Sequence, residues 1–314
     1  MMHKYRLVLL SPGTGHWREF QQPYNNAVAF WVASPSAYFW GPTLMEPVRL
    51  SPAKINQPMP IVQRLHYWWS LFVAGALLLF LGPPILIVAW ITGKHYLVYP
   101  WASFGSRNWL RLSGINVHVT GKHHLDPNQT YVFVSNHRSY LDTAALFLHT
   151  GRRIGLLAKK ELLKVPILGV GMGFVNVMAI DRSNRERALQ TTEAATARIR
   201  SGISFGVFAE GTRAKPGELL PFKKGAFYMA ANAGVPVVPI AIKNTDYLMG
   251  KGTGVARSGT IEFVILPPVP TTGCSTDEDV KKLVEKVESV IAAELGATPA
   301  GRRTQKVAVM ASAE

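Results

Sequence analysis

Cysteine is almost absent from this 314-residue chain, and acidic residues are scarce beside basic ones. The single cysteine, Cys274, cannot form an internal disulfide and leaves no Cys-rich metal site. It lies in the polar loop TTGCSTDED with no base nearby, which argues against a catalytic thiol. The 34 Lys and Arg residues outnumber the 19 Asp and Glu residues, for a formal net charge of +15. This balance favours an anionic partner: nucleic acid, an acidic membrane surface or a phosphorylated substrate.

Several well-known functional motifs are also missing. Without zinc-finger spacing, a basic zipper or an RNP-like aromatic motif, nucleic acid is the weaker choice of partner. There is no G-x-S-x-G elbow of the serine-hydrolase type and no P-loop ending in G-K-[ST]. The GVGMG stretch at Gly169–Gly173 lacks dinucleotide-binding spacing and does not follow a strand pattern, so a dinucleotide site is poorly supported.

One long apolar run is present, and it predicts a membrane segment. Tyr67–Ile91 carries no charge, is long enough to span a bilayer and has tryptophans near both ends. Its interior Gly82-Pro83-Pro84 should break or sharply kink a helix. Two geometries therefore fit: a kinked transmembrane helix, or a helical hairpin that dips into one leaflet and turns at the prolines. We favour the hairpin.

Composition divides the chain into four regions. Residues 1–60 have scattered prolines and no clear periodicity, which predicts a weakly structured extension. Residues 61–114 join the apolar run to an aromatic stretch with interleaved arginines, which predicts a membrane-anchoring helical segment. Residues 115–296 alternate short β-rich runs with helical patterns, which predicts an α/β domain with a mixed sheet flanked by helices. Residues 297–314 are predicted to be a disordered tail.

Six strand-like runs and four helices are predicted within the α/β domain. The strand-like runs are INVHVTG, TYVFVSN, FVNVMAID, ISFGVFAEG, VPVVPIAI and TIEFVILP. The predicted helices are centred on Leu141–His149, Arg185–Arg200, Phe222–Ala233 and Thr276–Leu295. The last helix has an apolar stripe and begins with Ser275 and Glu278 as its expected capping box. The prolines of VPVVPIAI predict a strand near an edge, or a proline at its first residue.

The most informative stretch is NHRSYLD, at Asn136–Asp142, between a predicted buried strand and a predicted helix. Histidine is the usual general base near neutral pH, and a carboxylate beside it fixes its tautomer and supports its protonated form. His137 and Asp142 are therefore a candidate catalytic pair. These residues alone leave an alternative open. Ser139 can be the helix N-cap with Asp142 completing a capping box, and His137 is then an ordinary loop histidine.

Three further blocks carry candidate phosphate or charge-stabilising groups. In FAEGTRA, at Phe208–Ala214, glycine permits a tight turn, and Thr212 with the backbone amides can donate to an anion. Arg213 adds a planar fork suited to phosphate, although alone so short a block fits a solvated surface turn better. AIDR supplies a second arginine, Arg182. AKKELLKVPILG supplies lysines that usually form a solvated face but that can also steady a developing negative charge.

In this order, and after an apolar segment, the blocks resemble the lysophosphatidic acid acyltransferase family, the 1-acyl-glycerol-3-phosphate acyltransferases of phospholipid synthesis. The resemblance covers roughly residues 61–296. NHRSYLD resembles the family's first motif, AIDR its second, FAEGTR its third and VPVVPI its fourth. The family usually has proline before the glutamate of the third motif, where this chain has Ala209. That departure affects loop stiffness more than chemistry.

The resemblance implies a membrane-bound enzyme that transfers a fatty acyl group from acyl-CoA or acyl-carrier protein to the free hydroxyl of lysophosphatidic acid. His137 would be the general base, Asp142 would orient it, and Lys159 would help to stabilise the oxyanion. The implied phosphate-binding residues are Glu210, Gly211, Thr212, Arg213 and Arg182. No metal and no cofactor are implied, because the acyl donor is a co-substrate.

Other functions fit the same residues. The acceptor could be glycerol-3-phosphate or another lysolipid. From a different class, a membrane-anchored phosphoesterase could use His137 and Asp142, although it would usually need more ligands to hold metal ions. The expected partners are a lysophospholipid, the acyl donor and an anionic membrane surface, not nucleic acid. A compact catalytic region without recognisable sorting signals favours a bacterial cytoplasmic membrane, with the catalytic domain facing the cytoplasm.

Overall fold

The computed structural model describes residues 7–10, 17–20 and 60–297. Strand β1 (Leu7–Leu10) pairs antiparallel with β2 (Trp17–Phe20), in a unit separate from the later elements. The sequence analysis did not predict this pair, because four-residue strands are too short to give a clear alternation. The rest of the predicted weakly structured extension, and the predicted tail from residue 298, lie outside the described residues.

The apolar run forms one continuous helix, α1 (Ile61–Thr92). At 32 residues it is about 48 Å long, and only four of its residues are buried. Phe80 and Trp90 are 73% and 76% exposed. Within the described part of the chain, α1 is the one helix that could cross a membrane by length and composition.

The predicted break at Gly82-Pro83-Pro84 is wrong, because both prolines lie inside α1. The chain reverses later, at Gly93, whose φ of 65° ends the helix in the left-handed conformation. Helix α2 (Val98–Leu112) then returns antiparallel along α1. Apolar packing explains why the helix survives the prolines: Ile85 and Ala89, directly after them, are buried in a cluster with side chains of α2.

Hydrogen bonds tie the start of α1 to the end of α2. Trp69 donates to the carbonyl of Leu112 at 2.9 Å, and Trp109 donates to the carbonyl of Ser70 at 3.0 Å. The Ser70 and Ser113 hydroxyls lie 2.8 Å apart and are both buried. The helical pair is therefore held together by polar contacts at this end and by apolar contacts at the other.

The elements after α2 form an α/β domain, and the predicted fold class is confirmed. In chain order they are β3 (Ile115–Thr120), β4 (Val132–Ser135), α3 (Leu141–His149), β5 (Ile154–Lys159), α4 (Leu168–Phe174), β6 (Val177–Ile180), α5 (Arg185–Arg200), β7 (Ser204–Phe208), α6 (Gly225–Ala233), β8 (Val237–Lys243), α7 (Thr245–Met249), β9 (Gly259–Ile265) and α8 (Asp277–Glu294). The seven strands β3 to β9 form a single sheet in the order β3-β9-β8-β4-β7-β5-β6.

Five neighbouring strands, β8, β4, β7, β5 and β6, run parallel, while β9 is antiparallel to β8. Helices α5, α6 and α8 cover one face of the sheet. Helices α2, α3 and α7 cover the other, where α1 also packs. In β4, Val132 and Val134 face the first layer and Phe133 faces the second. A strand buried on both faces is the reason its sequence reads as a continuous apolar run.

Parallel strands place their carboxyl ends at one edge of the sheet. NHRSYLD follows β4, EGTR follows β7, Lys159 ends β5 and Arg182 follows β6. Blocks that are far apart in sequence therefore meet at a single edge. This edge is the usual location of a ligand site in open α/β sheets.

Two local predictions need correction. β8 lies between β9 and β4, so VPVVPIAI is an interior strand and not an edge strand. Pro239 is tolerated because the ladder between β8 and β9 begins at the next residue, Ile240. The N–H that proline lacks would lie outside this ladder, so no ladder hydrogen bond is lost. The capping box of α8 is formed by Thr276 and Asp279, one residue after the predicted pair, because the helix begins at Asp277.

Candidate active site

The turn after β4 is clamped to the neighbouring strand by Asn136. Its buried side-chain amide donates to the carbonyl of Ile242 at 2.9 Å, and its oxygen accepts from the Ile242 amide at 2.8 Å. The Asn136 side chain thus extends the hydrogen bonding between β4 and β8 by one residue beyond Ser135, where the backbone pairing ends. It fixes the point at which His137 leaves the sheet.

His137 and Asp142 form a hydrogen-bonded pair. His137 Nδ1 lies 2.9 Å from the Oδ2 atom of Asp142, whose side chain is fully buried. An Nδ1 proton donated to this carboxylate leaves Nε2 as the acceptor nitrogen. Nε2 has no hydrogen-bond partner within residues 60–297, and 16% of the side chain is exposed. The pair therefore presents a basic nitrogen to whatever enters the site.

The same carboxylate also caps the turn. Oδ2 of Asp142 accepts from the backbone amides of Arg138 at 2.6 Å and Ser139 at 2.8 Å. The Ser139 hydroxyl accepts from the Leu141 amide and donates to the carbonyl of Met249. Asp142 therefore both pairs with the histidine and caps the turn through one oxygen atom. The predicted capping box with Ser139 as N-cap is not formed, because the N-cap of α3 is Tyr140 and its side chain makes no capping bond.

Phe208, the last residue of β7, stacks on the histidine. The two rings lie 3.9 Å apart between centroids and 15° from parallel. A positive charge on the imidazole ring would face the negative π surface of the phenyl ring. Asp142 and Phe208 therefore both restrict the ring, one through its edge and the other through its face.

Glu210 holds the histidine turn from the neighbouring loop. Its side chain is 2% exposed. Oε1 accepts from the His137 amide at 2.7 Å and Oε2 accepts from the Leu220 amide at 2.9 Å. Both oxygens are thus engaged with backbone, which does not fit the predicted contact with a phosphorylated substrate. Burial raises the pKa of Glu210 to about 7 despite these two amide bonds.

The raised pKa of Glu210 predicts a pH-dependent stability. The folded chain binds the Glu210 proton more tightly than the unfolded chain, in which the pKa is 4.5. The resulting stabilisation is fully present below pH 4.5 and is lost as pH rises through about 7. We expect the free energy of unfolding to fall by about 3 kcal/mol over this window relative to a Glu210→Gln variant. Thermal unfolding in detergent across the window measures the difference in slope. Parallel curves for the two proteins would contradict it.

The EGTR turn lies against the histidine turn. Gly211 has a φ of 71°, a conformation that favours glycine, and the Ala214 amide donates to the His137 carbonyl at 2.8 Å. The guanidinium carbon of Arg213 sits 3.8 Å from the ring centroid of Tyr140, and no carboxylate within residues 60–297 pairs with it. Thr212 is exposed. Stacking holds the face of the guanidinium and leaves its N–H edge available to an anion.

Two lysines add positive charge to this turn. Lys251 Nζ donates to the carbonyl of Arg213 at 2.5 Å. The Lys223 side chain lies against Gly211, so that a Cβ atom there would approach its Nζ to 3.1 Å. The sequence analysis did not identify Lys251, which comes from the loop after α7.

Lys159 and Arg182 lie at the same sheet edge but outside this cluster. Lys159 is 61% exposed and pairs with Glu161 at 3.3 Å. Arg182 is exposed, and neighbouring Asp181 pairs with Lys160 at 2.8 Å, which holds the pKa of Asp181 well below its usual range. No hydrogen bond or ion pair in the described chain joins Lys159 or Arg182 to His137. β5 is two strands from β4 and β6 is three, or about 10 and 14 Å.

Arg138 is a supporting residue that the sequence analysis missed. Its nearly buried guanidinium pairs with Asp246 of α7 at 3.1 Å and donates to the Glu218 carbonyl at 2.9 Å. It thus joins the histidine turn, the loop after EGTR and α7. Its position inside NHRSYLD was the available signal, but its partners are 80 and 108 residues away in sequence.

A carboxylate-backed histidine and an arginine-bearing turn at the carboxyl edge of this sheet define an acyltransferase-type α/β domain. The acyltransferase family model matches residues 116–243, a range that contains both. The chain belongs to the 1-acyl-sn-glycerol-3-phosphate acyltransferase family. A Caenorhabditis elegans protein whose name carries that activity, acl-2, is 30% identical over 210 residues, which are 66% of this chain and 73% of that protein.

Other relatives agree. The human 1-acyl-sn-glycerol-3-phosphate acyltransferase alpha is 39% identical over 177 residues, or 56% of this chain. The chain spans about three fifths of the length of the mammalian relatives, 62% for the human protein. The crystal structure of PlsC, the 1-acyl-sn-glycerophosphate acyltransferase from Thermotoga maritima, matches with a TM-score of 0.65 and 27% identity. The match covers 76% of this chain and 98% of that one.

Proposed function

We propose that this chain is a membrane-bound 1-acylglycerol-3-phosphate O-acyltransferase. It transfers a fatty acyl group from a thioester donor to the free hydroxyl of lysophosphatidic acid and yields phosphatidic acid. The observation that carries the proposal is the His137–Asp142 pair, with an unpartnered Nε2, beside the stacked Arg213. The names of the relatives support the same acceptor.

In this mechanism His137 is the general base. Nε2 removes the proton of the acceptor hydroxyl, and the oxygen attacks the thioester carbonyl of the donor. The C–O bond forms, the C–S bond breaks, and the leaving thiolate takes the proton back from the imidazolium. The products are phosphatidic acid and the free thiol of CoA or of acyl-carrier protein. No acyl-enzyme and no cofactor are needed.

Asp142 stabilises the imidazolium that forms during the reaction. Its carboxylate is buried and fixed by two backbone amides, so it does not have to reorganise when the positive charge appears. Phe208 supports the same charge through its ring face. Glu210 acts as a positioning residue, because it holds the His137 amide and does not face the substrate.

The phosphate of the acceptor binds at the EGTR turn. Arg213 supplies the bidentate donor, Thr212 supplies a hydroxyl donor, and the neighbouring lysines raise the local positive potential. Gly211 contributes by permitting the tight turn, since its own amide donates to the Phe208 carbonyl. Arg182 lies three strands away and would contact a more distant part of the substrate. Lys159, whose side chain is long and exposed, would swing toward the thioester carbonyl to stabilise the oxyanion.

Helix α1 and the charge of the chain support membrane association. Exposed apolar side chains along α1 would lie among lipid chains, and the net charge of +15 would hold the domain against anionic headgroups. We place the enzyme at a bacterial cytoplasmic membrane, with the active site on the cytoplasmic side, where the acyl donors are.

A transfer assay tests this proposal. Labelled acyl-CoA and acyl-carrier protein are each offered with lysophosphatidic acid, glycerol-3-phosphate and other lysolipids, with and without EDTA. We expect labelled phosphatidic acid as the main product in both conditions. A preference for glycerol-3-phosphate or another lysolipid would change the acceptor. Metal-dependent release of phosphate without acyl transfer would favour the phosphoesterase.

Arg213→Ala should act mainly on acceptor binding. Loss of a charge-assisted pair with phosphate, worth about 1.5–3 kcal/mol, raises the apparent KM for lysophosphatidic acid by about 10- to 100-fold and leaves the KM for acyl-CoA unchanged. Initial rates with each substrate varied in turn measure the two constants. An unchanged KM for lysophosphatidic acid would remove Arg213 from the site.

Tyr140→Leu should have a smaller effect through Arg213. Removing the ring frees the guanidinium, and the stacking contact is worth about 0.5–1 kcal/mol at an exposed site. We expect a two- to fivefold rise in the KM for lysophosphatidic acid. Tyr140→Phe is the control and should keep the original KM. In the Arg213→Ala background the leucine substitution should add nothing, and an equal additional rise there would show that Tyr140 acts independently.

A further inference from the structure

A run of exposed residues follows Lys159, and the proposed mechanism uses none of them. Residues 161–166 form most of a 3₁₀ helix and its exit, and all six are exposed. Leu162, Leu163 and Val165 are 37%, 54% and 38% exposed, and Val170 on α4 is 65% exposed. Large apolar side chains grouped on a surface mark a contact site. We name residues 159–170 the lysine–leucine edge.

The charges of this edge are mainly positive. It contains Lys159, Lys160 and Lys164 against a single acid, Glu161. Lys160 is neutralised by Asp181, whereas Lys164 forms no ion pair within residues 60–297. Apolar side chains interleaved with lysines are the composition of a segment that lies at an anionic lipid surface.

The edge is fixed to the middle of α1. The side chain of Ile167 lies so close to Gly82 that a Cβ atom built on Gly82 would be 2.3 Å from the isoleucine. On α4, Gly171 faces Leu86 of α1. Ile167 has a φ of 67°, a strained value for a β-branched residue, and the Leu168 amide donates to the Pro166 carbonyl at 2.6 Å across this tight turn. Contact with α1 holds the strained turn in place.

We propose that the lysine–leucine edge is a second lipid-contacting surface, which inserts Leu162 and Leu163 into an anionic phospholipid bilayer beside α1. The inference rests on the proposed membrane placement of α1 and goes beyond it. Leu79, three residues before Gly82 and therefore on the same side of α1, is 57% exposed, so apolar surface of α1 lies beside the edge and a bilayer that meets one meets the other. The edge starts at Lys159, so this contact brings lipid to the active-site end of the sheet.

Site-specific quenching in vesicles tests this surface. In a full-length Cys274→Ser background, single cysteines are introduced by Leu163→Cys, Phe80→Cys or Lys282→Cys and labelled with an environment-sensitive fluorophore. Phe80 marks α1, and Lys282 lies on α8, which covers the opposite face of the sheet. Vesicles of phosphatidylcholine and phosphatidylglycerol carry a phospholipid with a nitroxide on its acyl chain.

We expect strong quenching at positions 80 and 163 and little at 282. In phosphatidylcholine alone, or after Lys164→Glu, quenching at 163 should fall while quenching at 80 persists. Quenching at 163 no greater than at 282 would overturn the proposal. Quenching independent of both lipid charge and Lys164 would overturn its anionic part. A label at 163 that is shielded from water but unquenched, and becomes exposed when the protein is diluted over more vesicles, would identify a second copy as the occupant.

Acyl transfer by the unmodified chain is measured in the same vesicles. If the proposed function fails, transfer is absent whatever the label reports. If the lysine–leucine edge does not contact lipid, acyl transfer and quenching at position 80 remain, whereas the label at position 163 is not quenched. The two failures are therefore distinguishable.

Discussion

Replacing His137 with alanine should lower kcat for acyl transfer by about 10²–10⁴-fold, the usual cost of losing a general base. The acceptor hydroxyl is a poor nucleophile while it keeps its proton, and no other imidazole in residues 60–297 has a carboxylate partner within ion-pair distance. The substrates should still bind, because Arg213 and the EGTR turn are unchanged. The loss should therefore appear in kcat, with the KM for lysophosphatidic acid nearly unaltered.

A matched control is His118→Ala. His118 lies on the exposed face of β3, away from the site, and its removal should leave kcat as it was. Thermal unfolding of both variants should show that each remains folded. Turnover by His137→Ala at the rate of the unmodified protein would exclude His137 as the base.

Asp142→Asn should also lower kcat by about 10²–10⁴-fold, because it removes the negative charge that stabilises the imidazolium. The amide oxygen of asparagine can still accept from the Arg138 and Ser139 amides, so the turn should keep its shape. The substitution thus separates charge from capping. We expect kcat to fall while the melting temperature changes little.

Asp142→Ala provides the comparison for the structural role. It leaves the buried amides of Arg138 and Ser139 without an acceptor, at a cost of about 1–3 kcal/mol for each group. This variant should lose stability as well as activity. If Asp142→Asn keeps full activity while Asp142→Ala loses it, Asp142 acts by capping alone and the proposed pairing with His137 is wrong. Asp279→Asn, in the capping box of α8, is an aspartate control that should leave kcat unchanged.

The local structure around the site could be predicted because its signals are local. An apolar run ending at Ser135 predicts a buried strand, and the helical pattern after Tyr140 predicts α3. A histidine and an aspartate five residues apart across this junction are close enough for the turn itself to bring them together. The observed 2.9 Å contact needs no distant partner.

The role of Glu210 could not be predicted in the same way. Its motif indicated a phosphate-binding turn, and a carboxylate within it was assigned to the substrate. Its actual partner, the His137 amide, is 73 residues away and comes within reach only because β7 lies beside β4 in the sheet. The same adjacency brings Arg213 onto Tyr140.

The path of α1 through its prolines is a second result of tertiary packing. Intrinsic propensity disfavours proline inside a helix by about 3 kcal/mol, which made a break the reasonable prediction. Burial of Ile85 and Ala89 against α2, and the close contact of Gly82 with Ile167, favour the continuous helix instead. The reversal expected at the prolines occurs between α1 and α2.

By itself, the sequence determined the α/β class, the apolar segment, the order of the motifs and the chemical groups at the site. Each depends on periodicity or on residues close in the chain. Tertiary structure decided which groups meet. Glu210 accepts from the His137 amide, Arg138 pairs with Asp246, Arg213 stacks on Tyr140, and the lysine–leucine edge contacts α1. Strand order and burial set these contacts, and neither is encoded by the spacing of neighbouring residues.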